Sequence, residues 1–162
     1  MKNILLHTVF FIFVLNSGNL EAATKNSDSA ESLIRDLYEK HQPQKGQEIA
    51  FDDAKTLRLY FTDDLIALFM RNEECIMRTR GVCNLNMDPL LAAQDYDDSP
   101  RKLDVKKIKS NKSLLQFNVT FTNMKQRNTL IYELIKTKSG WRISDIIYPS
   151  NNRLSKLLSV SE

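Results

Sequence analysis

Asp145 is the residue whose type and setting most directly suggest chemistry. Strand alternation places four residues on one otherwise apolar face: Trp141, Ile143, Asp145 and Ile147. A carboxylate on such a face has either a partner or a raised pKa, and a raised pKa suits acid–base catalysis. Tyr132 on the preceding predicted strand and Tyr60 on a predicted helix could complete a catalytic site. We favour a structural or ligand-orienting role, in which Asp145 pairs with an arginine or with backbone donors, and keep catalysis as the alternative.

Three aspartates in one loop invite comparison with calcium sites, since hard cations prefer clustered oxygen ligands. They are Asp95, Asp97 and Asp98, in an irregular segment that runs from Asn84 to Pro100. The spacing of an EF-hand is absent, because no glycine follows at the sixth loop position and no glutamate at the twelfth. Turns in a solvated loop explain these residues better. We therefore expect no metal and no cofactor.

The two cysteines, Cys75 and Cys83, are predicted to form a disulfide in an oxidising compartment, with two free buried thiols as the alternative. On one continuous helix their Cα atoms would lie about 12 Å apart, whereas a disulfide needs about 4.4–6.8 Å. A helix must therefore end between them, and Gly81 is the expected breaker. We interpret the pair as structural.

The first residues have the layout of a secretory signal peptide. Lys2 supplies a positive charge, residues 4–15 are mostly apolar, and the segment closes on Ala22 and Ala23. The apolar run is too short to span a bilayer, which takes about 20 residues. We expect cleavage after Ala22 or Ala23 and a periplasmic or secreted protein without a stable membrane anchor. The domains are then a signal peptide at 1–22, a flexible leader at 23–29 and a single domain at 30–162.

The remaining composition argues against several classes of function. The net charge is +3, which is too small for a nucleic-acid-binding footprint. His41 is the only histidine after the signal peptide, so a zinc site lacks ligands once the cysteines pair. Five lysines follow the acidic loop, and we favour a solvated edge strand over a phosphate-binding patch for them: Lys102, Lys106, Lys107, Lys109 and Lys112.

Apolar spacing predicts helices first and an antiparallel sheet afterwards. A first amphipathic helix begins with a cap at Asp28 and stops before Pro43, and a second helical region is broken near Phe61, where Thr62 caps its second part. Alternating residues predict strands at 115–122, 129–137 and 141–148 and a weaker one at 103–108. The short turns between them permit only antiparallel neighbours. The predicted fold class is α+β, with the helices packed on one face of the sheet.

Three segments resemble the domain of unknown function 3828, a family of the nuclear transport factor 2-like (cystatin-like) superfamily. They are DPLLAAQDYDD at 88–98, TLIYELIKT at 129–137 and GWRISDIIY at 140–148. The resemblance spans residues 57–158 and implies a curved antiparallel sheet wrapped on a long helix, which leaves a conical pocket. Catalytic members of the superfamily, such as the ketosteroid isomerases, use a pocket Asp and Tyr, whereas this family implies no reaction. We expect Asp95 and Tyr96 to organise the pocket mouth.

Two classes of function remain open. The first is an exported, non-enzymatic binding domain that holds a small apolar ligand in the cone or a protein partner at its mouth, for example as an immunity-type inhibitor of an exported toxin. The second is a small pocket enzyme that transfers a proton through Asp145 and a tyrosine, Tyr132 or Tyr60. A homodimer through the sheet is also open, and no nucleic acid is expected. The expected ligand-binding residues are Asp95, Tyr96, Tyr132, Trp141 and Asp145.

Overall fold

The computed structural model describes residues 18–97 and 102–159, and these ranges confirm the predicted α+β class. Helices come first and last, and the strands between them form one four-stranded antiparallel sheet whose spatial order follows the chain. Most of the predicted signal peptide, residues 1–17, lies outside the described residues. The nuclear transport factor 2-like cone is a more specific expectation than the α+β class, and it stays a prediction.

The helices and strands come in the predicted order along the chain. The helices are α1 (Gly18–Lys40), α2 (Ala54–Leu57), α3 (Asp63–Thr79) and α4 (Leu154–Leu158). The strands are β1 (Asp104–Ser110), β2 (Leu114–Asn123), β3 (Gln126–Thr137) and β4 (Gly140–Ile147). Within the described ranges, none of the helices has the length and apolar character that crossing a membrane requires.

Helix α1 starts earlier than predicted. Its first residue is Gly18, so helical backbone runs past the cap expected at Asp28 and through residues 23–29, the expected flexible leader. Ala22 and Ala23 are strong helix formers and lie in this stretch, which favours continuation of the helix. The helix ends before Pro43, as predicted.

The predicted break near Phe61 is present. Asp53 caps α2 and Thr62 caps α3, each through its side chain. Between the two helices the backbone pairs with β4: Ile143 N–H donates to the carbonyl oxygen of Tyr60 at 2.8 Å, and Thr62 N–H donates to that of Ile143 at 3.0 Å. This pairing covers part of the free edge of β4, which would otherwise expose unpaired backbone groups.

The opposite edge of the sheet is β1. Lys106, Lys107 and Lys109 are exposed there, as a solvated edge strand requires. The neighbouring strand β2 alternates regularly between buried and half-buried residues along its whole length. That alternation follows because one face of the sheet packs on the core and the other does not.

A bulge in β4 alters the position predicted for Asp145. In the register of β3 and β4, Glu133 lies opposite Asp145 and Leu134 lies opposite Ile143. Ser144 is therefore an extra residue on β4, without a counterpart on β3. Because side chains alternate with a period of two, one extra residue moves every later side chain to the other face.

The prediction that Asp145 and Ile147 share the buried face of Trp141 and Ile143 is therefore wrong. Residues in register share a face of the sheet, and two rows make the change visible: Gln116, Glu133 and Asp145 on one face, Phe117, Tyr132 and Ile146 on the other. The second row belongs to the hydrophobic core. Ile146 thus takes the core position that regular alternation assigns to Ile147.

The core lies between this sheet face and the helices. Helix α1 contacts β1, β2 and β4, and α4 packs against α3 and β4. Large side chains with almost no exposure fill the space between them: Tyr60, Phe61, Phe69, Phe117, Phe121 and Tyr132. Burial of this many aromatic side chains supplies much of the driving force for folding.

The predicted disulfide is confirmed. Cys75 and Cys83 are bonded, with their Cα atoms 6.1 Å apart. Helix α3 ends at Thr79, between the two cysteines, as the geometry requires. The breaker is Arg80, which adopts a left-handed conformation with φ 54°, so the assignment of that role to Gly81 is wrong. The Thr79 hydroxyl oxygen accepts a hydrogen bond from Gly81 N–H at 3.3 Å and stabilises this end of the helix.

Candidate functional site

Asp145 is held by four hydrogen bonds within the protein. One carboxylate oxygen accepts from the N–H groups of Ile146 at 2.9 Å and Ser155 at 3.1 Å. The other accepts from Arg153 Nε at 2.7 Å and from the Ser155 hydroxyl at 2.6 Å. Asp145 is only 5% exposed. Its carboxylate therefore joins β4 to the first turn of α4. Asp145 thus has both an arginine partner and backbone donors, as the structural role described above requires.

Arg153 continues this network towards the solvent. Its guanidinium also pairs with Glu133, and the second oxygen of Glu133 accepts from Gln116 Nε2 at 2.7 Å. The Arg153 side chain is 40% exposed, so water reaches part of its charge. Burial alone would lower the pKa of Arg153. The hydrogen bonds and negative charges of Asp145 and Glu133 together outweigh this effect, so the pKa of Arg153 is raised. The network links three strands to α4 on the outer face of the sheet.

Tyr132 lies on the core face, in a buried cluster of tyrosines. Its hydroxyl oxygen is 3.0 Å from that of Tyr38, which donates to the carbonyl oxygen of Leu90 at 2.8 Å. Tyr148 donates to the carbonyl oxygen of Pro89 at 3.1 Å. Burial, reinforced by Tyr38, raises the pKa of Tyr132 and of Tyr148 well above the ordinary value for tyrosine. The hydroxyls of Tyr132 and Tyr148 therefore stay protonated, and those of Tyr38 and Tyr148 bind the backbone of residues 89–90.

The loop Asp88–Ala93 occupies the space next to this cluster. Leu90 and Leu91 are almost completely buried, and the Asp88 carboxylate accepts hydrogen bonds from both of their N–H groups, at 2.8 and 3.1 Å. His41 Nε2 lies 2.5 Å from the other Asp88 oxygen, while His41 Nδ1 accepts from Ile49 N–H. Because Nδ1 accepts, Nε2 carries the proton and donates to Asp88. The protein's own residues thus fill the interior beside Tyr132.

Tyr60 belongs to a third location. Its hydroxyl donates to the Asp36 carboxylate at 2.7 Å. This hydrogen bond lowers the pKa of Asp36, while burial together with Asp36 raises the pKa of Tyr60. The structure therefore does not bring Asp145, Tyr132 and Tyr60 together, because each lies in a separate cluster with its own partners.

Trp141 is also part of the packed structure. It is 6% exposed, and Lys136 Nζ lies 5.2 Å from the centre of its ring, in the range of a cation–π contact. Lys136 is the in-register neighbour of Trp141 on β3. The indole is thus covered by its own sheet, and a role as a ligand-binding residue stays a prediction.

Asp95 and Tyr96 lie near the turn between β2 and β3. Asn123 Nδ2 donates to the carbonyl oxygen of Asp95 at 3.0 Å, so the contact uses the backbone of Asp95 and not its carboxylate. This bond brings together the segments that carry Tyr96, 42% exposed, and Met124, 53% exposed. Met124 and Lys125 have φ values of 52° and 61°, which is typical of a tight hairpin turn.

A cleft of about 380 Å³ opens beside this turn. The turn-end surface consists of Tyr96, Met124 and this cleft. Five of the seven residues that line the cleft have polar or charged side chains, and the other two are Leu103 and Phe121. The lining consists of Lys102, Leu103, Asp104, Thr120, Phe121, Thr122 and Arg127. Pockets for enclosed small ligands are lined mostly by apolar side chains, so this open cleft suits a partner surface better.

Two of the three aspartates considered for calcium, Asp95 and Asp97, lie in the described part of the acidic loop. Among the described residues, no group of three or more His, Cys, Asp or Glu side chains could hold a metal ion. Asp98, the third member of the calcium candidate, lies outside the described residues.

Comparison with known proteins adds one structural similarity. No protein-family model and no curated protein matches the sequence. Among solved structures, the chain is similar to a phospholipid-binding protein from Ralstonia solanacearum that was solved in complex with a phospholipid. The identity is 15%, the similarity covers 86% of this chain and 80% of that chain, and the TM-score is 0.38. A TM-score this low does not establish a shared fold, so the ligand of that protein is not carried over.

Several residues of these clusters have no clear signal in the sequence. Arg153 and Glu133 look like ordinary surface charges, and Tyr38 looks like one more apolar position of a helix stripe. The hydrogen bond of Tyr38 to Leu90 spans 52 positions of the chain, which no local pattern encodes. A weak signal exists for Arg153, because a cation near the end of the sheet could pair with a buried Asp145.

Proposed function

We propose that the chain is an exported, non-enzymatic protein-binding domain, built on a nuclear transport factor 2-like fold, that meets its partner through the turn-end surface. The observation that carries this proposal is the exposure of Tyr96 and Met124 on either side of the Asp95–Asn123 hydrogen bond. Export rests on the character of residues 1–22 and is supported by the disulfide, since such bonds persist in oxidising compartments.

A protein partner fits better than a small apolar ligand inside the fold. The interior beside Tyr132 is occupied by Leu90 and Leu91, and the tyrosine hydroxyls there are bonded to the backbone of the same loop. Opening a ligand cavity would break those hydrogen bonds and expose two buried leucines, at about 2 kcal/mol for each leucine side chain. A surface partner requires no such rearrangement.

The chemistry of the turn-end surface is that of a protein interface. Tyrosine, methionine and arginine are enriched at interface cores, and Tyr96, Met124 and Arg127 lie around the same turn. Lys102 and Arg127 outnumber Asp104 in the cleft. We therefore propose a partner with an apolar pocket bordered by carboxylates. An immunity-type inhibitor of an exported toxin is one specific form of this proposal.

Site-specific photo-crosslinking tests the surface directly. A photoreactive phenylalanine analogue replaces Tyr96 in one variant and Leu59 in a control, since Leu59 is 58% exposed and follows α2. Both chains are expressed with their signal segment and irradiated in intact cells. We expect a discrete adduct with one protein from position 96 and no adduct of that mass from position 59.

Affinity measurements with the crosslinked partner give the second test. Tyr96→Ala should weaken binding by about 2 kcal/mol, the range of a central aromatic contact, which is roughly 30-fold in Kd. Leu59→Ala is the matched control, because Leu59 is also exposed but follows α2 and is not part of the turn-end surface. Equal crosslinking from position 59, or unchanged affinity of Tyr96→Ala, would show that the partner binds elsewhere.

A further inference from the structure

A second cleft, of about 510 Å³, lies between the α2–α3 junction and the turn that joins β3 to β4. It is called the cationic cleft here because three of its lining residues are cations. The lining consists of Arg58, Phe61, Thr62, Asp63, Thr137, Lys138, Ser139 and Arg142. The turn-end surface shares none of these residues, so the two places are distinct.

The guanidinium of Arg142 is fixed in place without a carboxylate. Its Nε donates to the carbonyl oxygen of Arg58 at 2.9 Å, and its Nη1 donates to that of Trp141 at 2.7 Å. Neutral carbonyls orient the group but do not cancel its charge. Within the described ranges, none of Arg58, Lys138 and Arg142 forms a salt bridge. The cleft therefore gathers three positive charges, with the single carboxylate of Asp63 against them.

The turn that carries Lys138 is itself ordered. The Thr137 hydroxyl donates to the carbonyl oxygen of Gly140 at 2.8 Å, and the same oxygen atom of Thr137 accepts from Ser139 N–H at 3.2 Å. Lys138 is therefore presented from a fixed backbone, in the cleft that also holds the fixed guanidinium of Arg142. Preorganised donors bind with less loss of conformational entropy than mobile ones.

The charge balance of the cleft selects an anion. One lining residue, Asp63, is acidic, and three are basic. Bringing like charges together is unfavourable unless a counter-charge occupies the space between them. A planar guanidinium matches a phosphate group better than a halide ion, because arginine can bind two oxygens at once, and an ammonium in the same cleft adds a further donor.

We propose that the cationic cleft is a binding site for a phosphate-class anion, either free phosphate or the phosphate of a lipid headgroup, held by Arg58, Lys138 and Arg142. This inference goes beyond the proposed function, since it concerns different residues and a different class of ligand. Failure of the partner experiments at Tyr96 would not affect the proposed anion site. Failure of the phosphate experiments would likewise not affect the proposed partner surface.

Titration of the exported chain with inorganic phosphate at constant ionic strength tests the site, with binding followed by amide chemical shifts. We expect saturable shifts of Ser139, Arg142 and Arg58. Lys138→Gln and Arg58→Gln should each weaken binding about fivefold, the effect of one cation near an anionic group. Asp63→Asn should strengthen binding by a similar factor, because it removes the opposing charge.

The control is Lys45→Gln, which removes one exposed positive charge from a short helical turn elsewhere on the surface. It should leave phosphate affinity unchanged. Equal weakening by Lys45→Gln and Lys138→Gln, or shifts spread evenly over the surface lysines, would reduce the effect to net charge and overturn the proposal. Melting temperatures of all variants exclude loss of folding as the cause.

Vesicles distinguish the two sources of phosphate. Vesicles of phosphatidylglycerol are compared with vesicles of phosphatidylcholine, whose headgroup carries no net charge. Co-flotation with phosphatidylglycerol that Lys138→Gln weakens and free phosphate inhibits identifies a lipid headgroup. Saturable phosphate binding without co-flotation identifies a free anion. Absence of binding in both arms overturns the proposal.

Discussion

Replacement of Asp145 by asparagine separates the structural interpretation of this residue from the catalytic one. The substitution keeps the size and one carbonyl oxygen but removes the charge. In the structure the carboxylate accepts four hydrogen bonds, two at each oxygen. An asparagine can keep the two backbone N–H donors on its oxygen, which leaves its NH₂ group facing Arg153 Nε and the Ser155 hydroxyl.

The expected cost follows from these two contacts. The Ser155 hydroxyl can rotate and accept from the new NH₂ group, but Arg153 Nε can only donate, so that bond is lost. A hydrogen bond to a charged group contributes about 1.5–3 kcal/mol to stability. In the variant the new NH₂ group also faces the N–H group of Arg153 Nε, and this contact between two donors destabilises the fold further. Arg153 is 40% exposed and keeps Glu133 as a partner, so it is not left as a buried unpaired charge. We therefore expect Asp145→Asn to destabilise the fold by about 2–4 kcal/mol.

Urea denaturation with a double-mutant cycle measures this cost. Trp141 fluorescence follows unfolding of Asp145→Asn, Arg153→Gln and the double variant. The two residues are in direct contact, so their effects should not add, and we expect a coupling free energy of about 1–2 kcal/mol. Lys156→Gln is the control, because Lys156 is an exposed cation of the same helix, whereas the cation that pairs with Asp145 is Arg153.

Two outcomes would refute the reasoning. A loss of stability below about 0.5 kcal/mol would resemble an ordinary surface substitution and would mean that the network is not formed. Additive effects of the two substitutions would mean that Asp145 and Arg153 do not interact in solution. Unchanged stability together with loss of a measurable activity would instead favour the enzyme.

Three further predictions test other parts of the fold. Trp141→Ala should cost about 3–5 kcal/mol in urea denaturation followed by circular dichroism, because the indole is buried, and an unchanged midpoint would contradict the packing. Intact mass of the exported protein should lie about 2 Da below that of the dithiol, and replacing Cys75 and Cys83 by serine should cost about 2.5 kcal/mol. Tyr60→Phe should raise the pKa of Asp36 towards 3.8, since the hydrogen bond from Tyr60 is the main cause of its lowering. Carboxyl NMR titration measures this rise in the pKa of Asp36. A lowered pKa stabilises the fold above about pH 4 and loses that effect as the pH falls, so urea denaturation at several pH values should show a smaller loss of stability in acid for this variant.

The sheet was largely predictable because half-buried strands impose a period of two. Leu115, Phe117 and Val119 alternate with polar residues in the sequence and face the core in the structure. The bulge at Ser144 was not predictable, since a small polar residue fits either face of a strand. The shifted register allows Asp145 to contact Ser155 of α4, which follows β4 only after a turn.

The candidate site was less predictable than the fold. Tyr38 lies on the apolar stripe of the first helix in the sequence, and it is buried in the structure. Spacing does not identify its partners, because the hydroxyl of Tyr38 meets Tyr132 across 94 positions and Leu90 across 52. Periodicity thus reports which face is buried, and the pairing of polar groups within that face depends on tertiary packing.

Because these buried polar groups have partners within the protein, the surface is the better candidate for a functional site. A buried polar group that loses its partner costs about 1–3 kcal/mol, so the acids and tyrosines that first suggested catalysis are explained by the hydrogen bonds that they make. An exposed cation or aromatic side chain carries no such requirement. Arg142 is oriented by two carbonyls without a counter-charge, and Tyr96 is exposed beside an ordered hydrogen bond. The two surfaces share no lining residue, so an anion in the cationic cleft and a protein partner at the turn-end surface do not compete for the same residues.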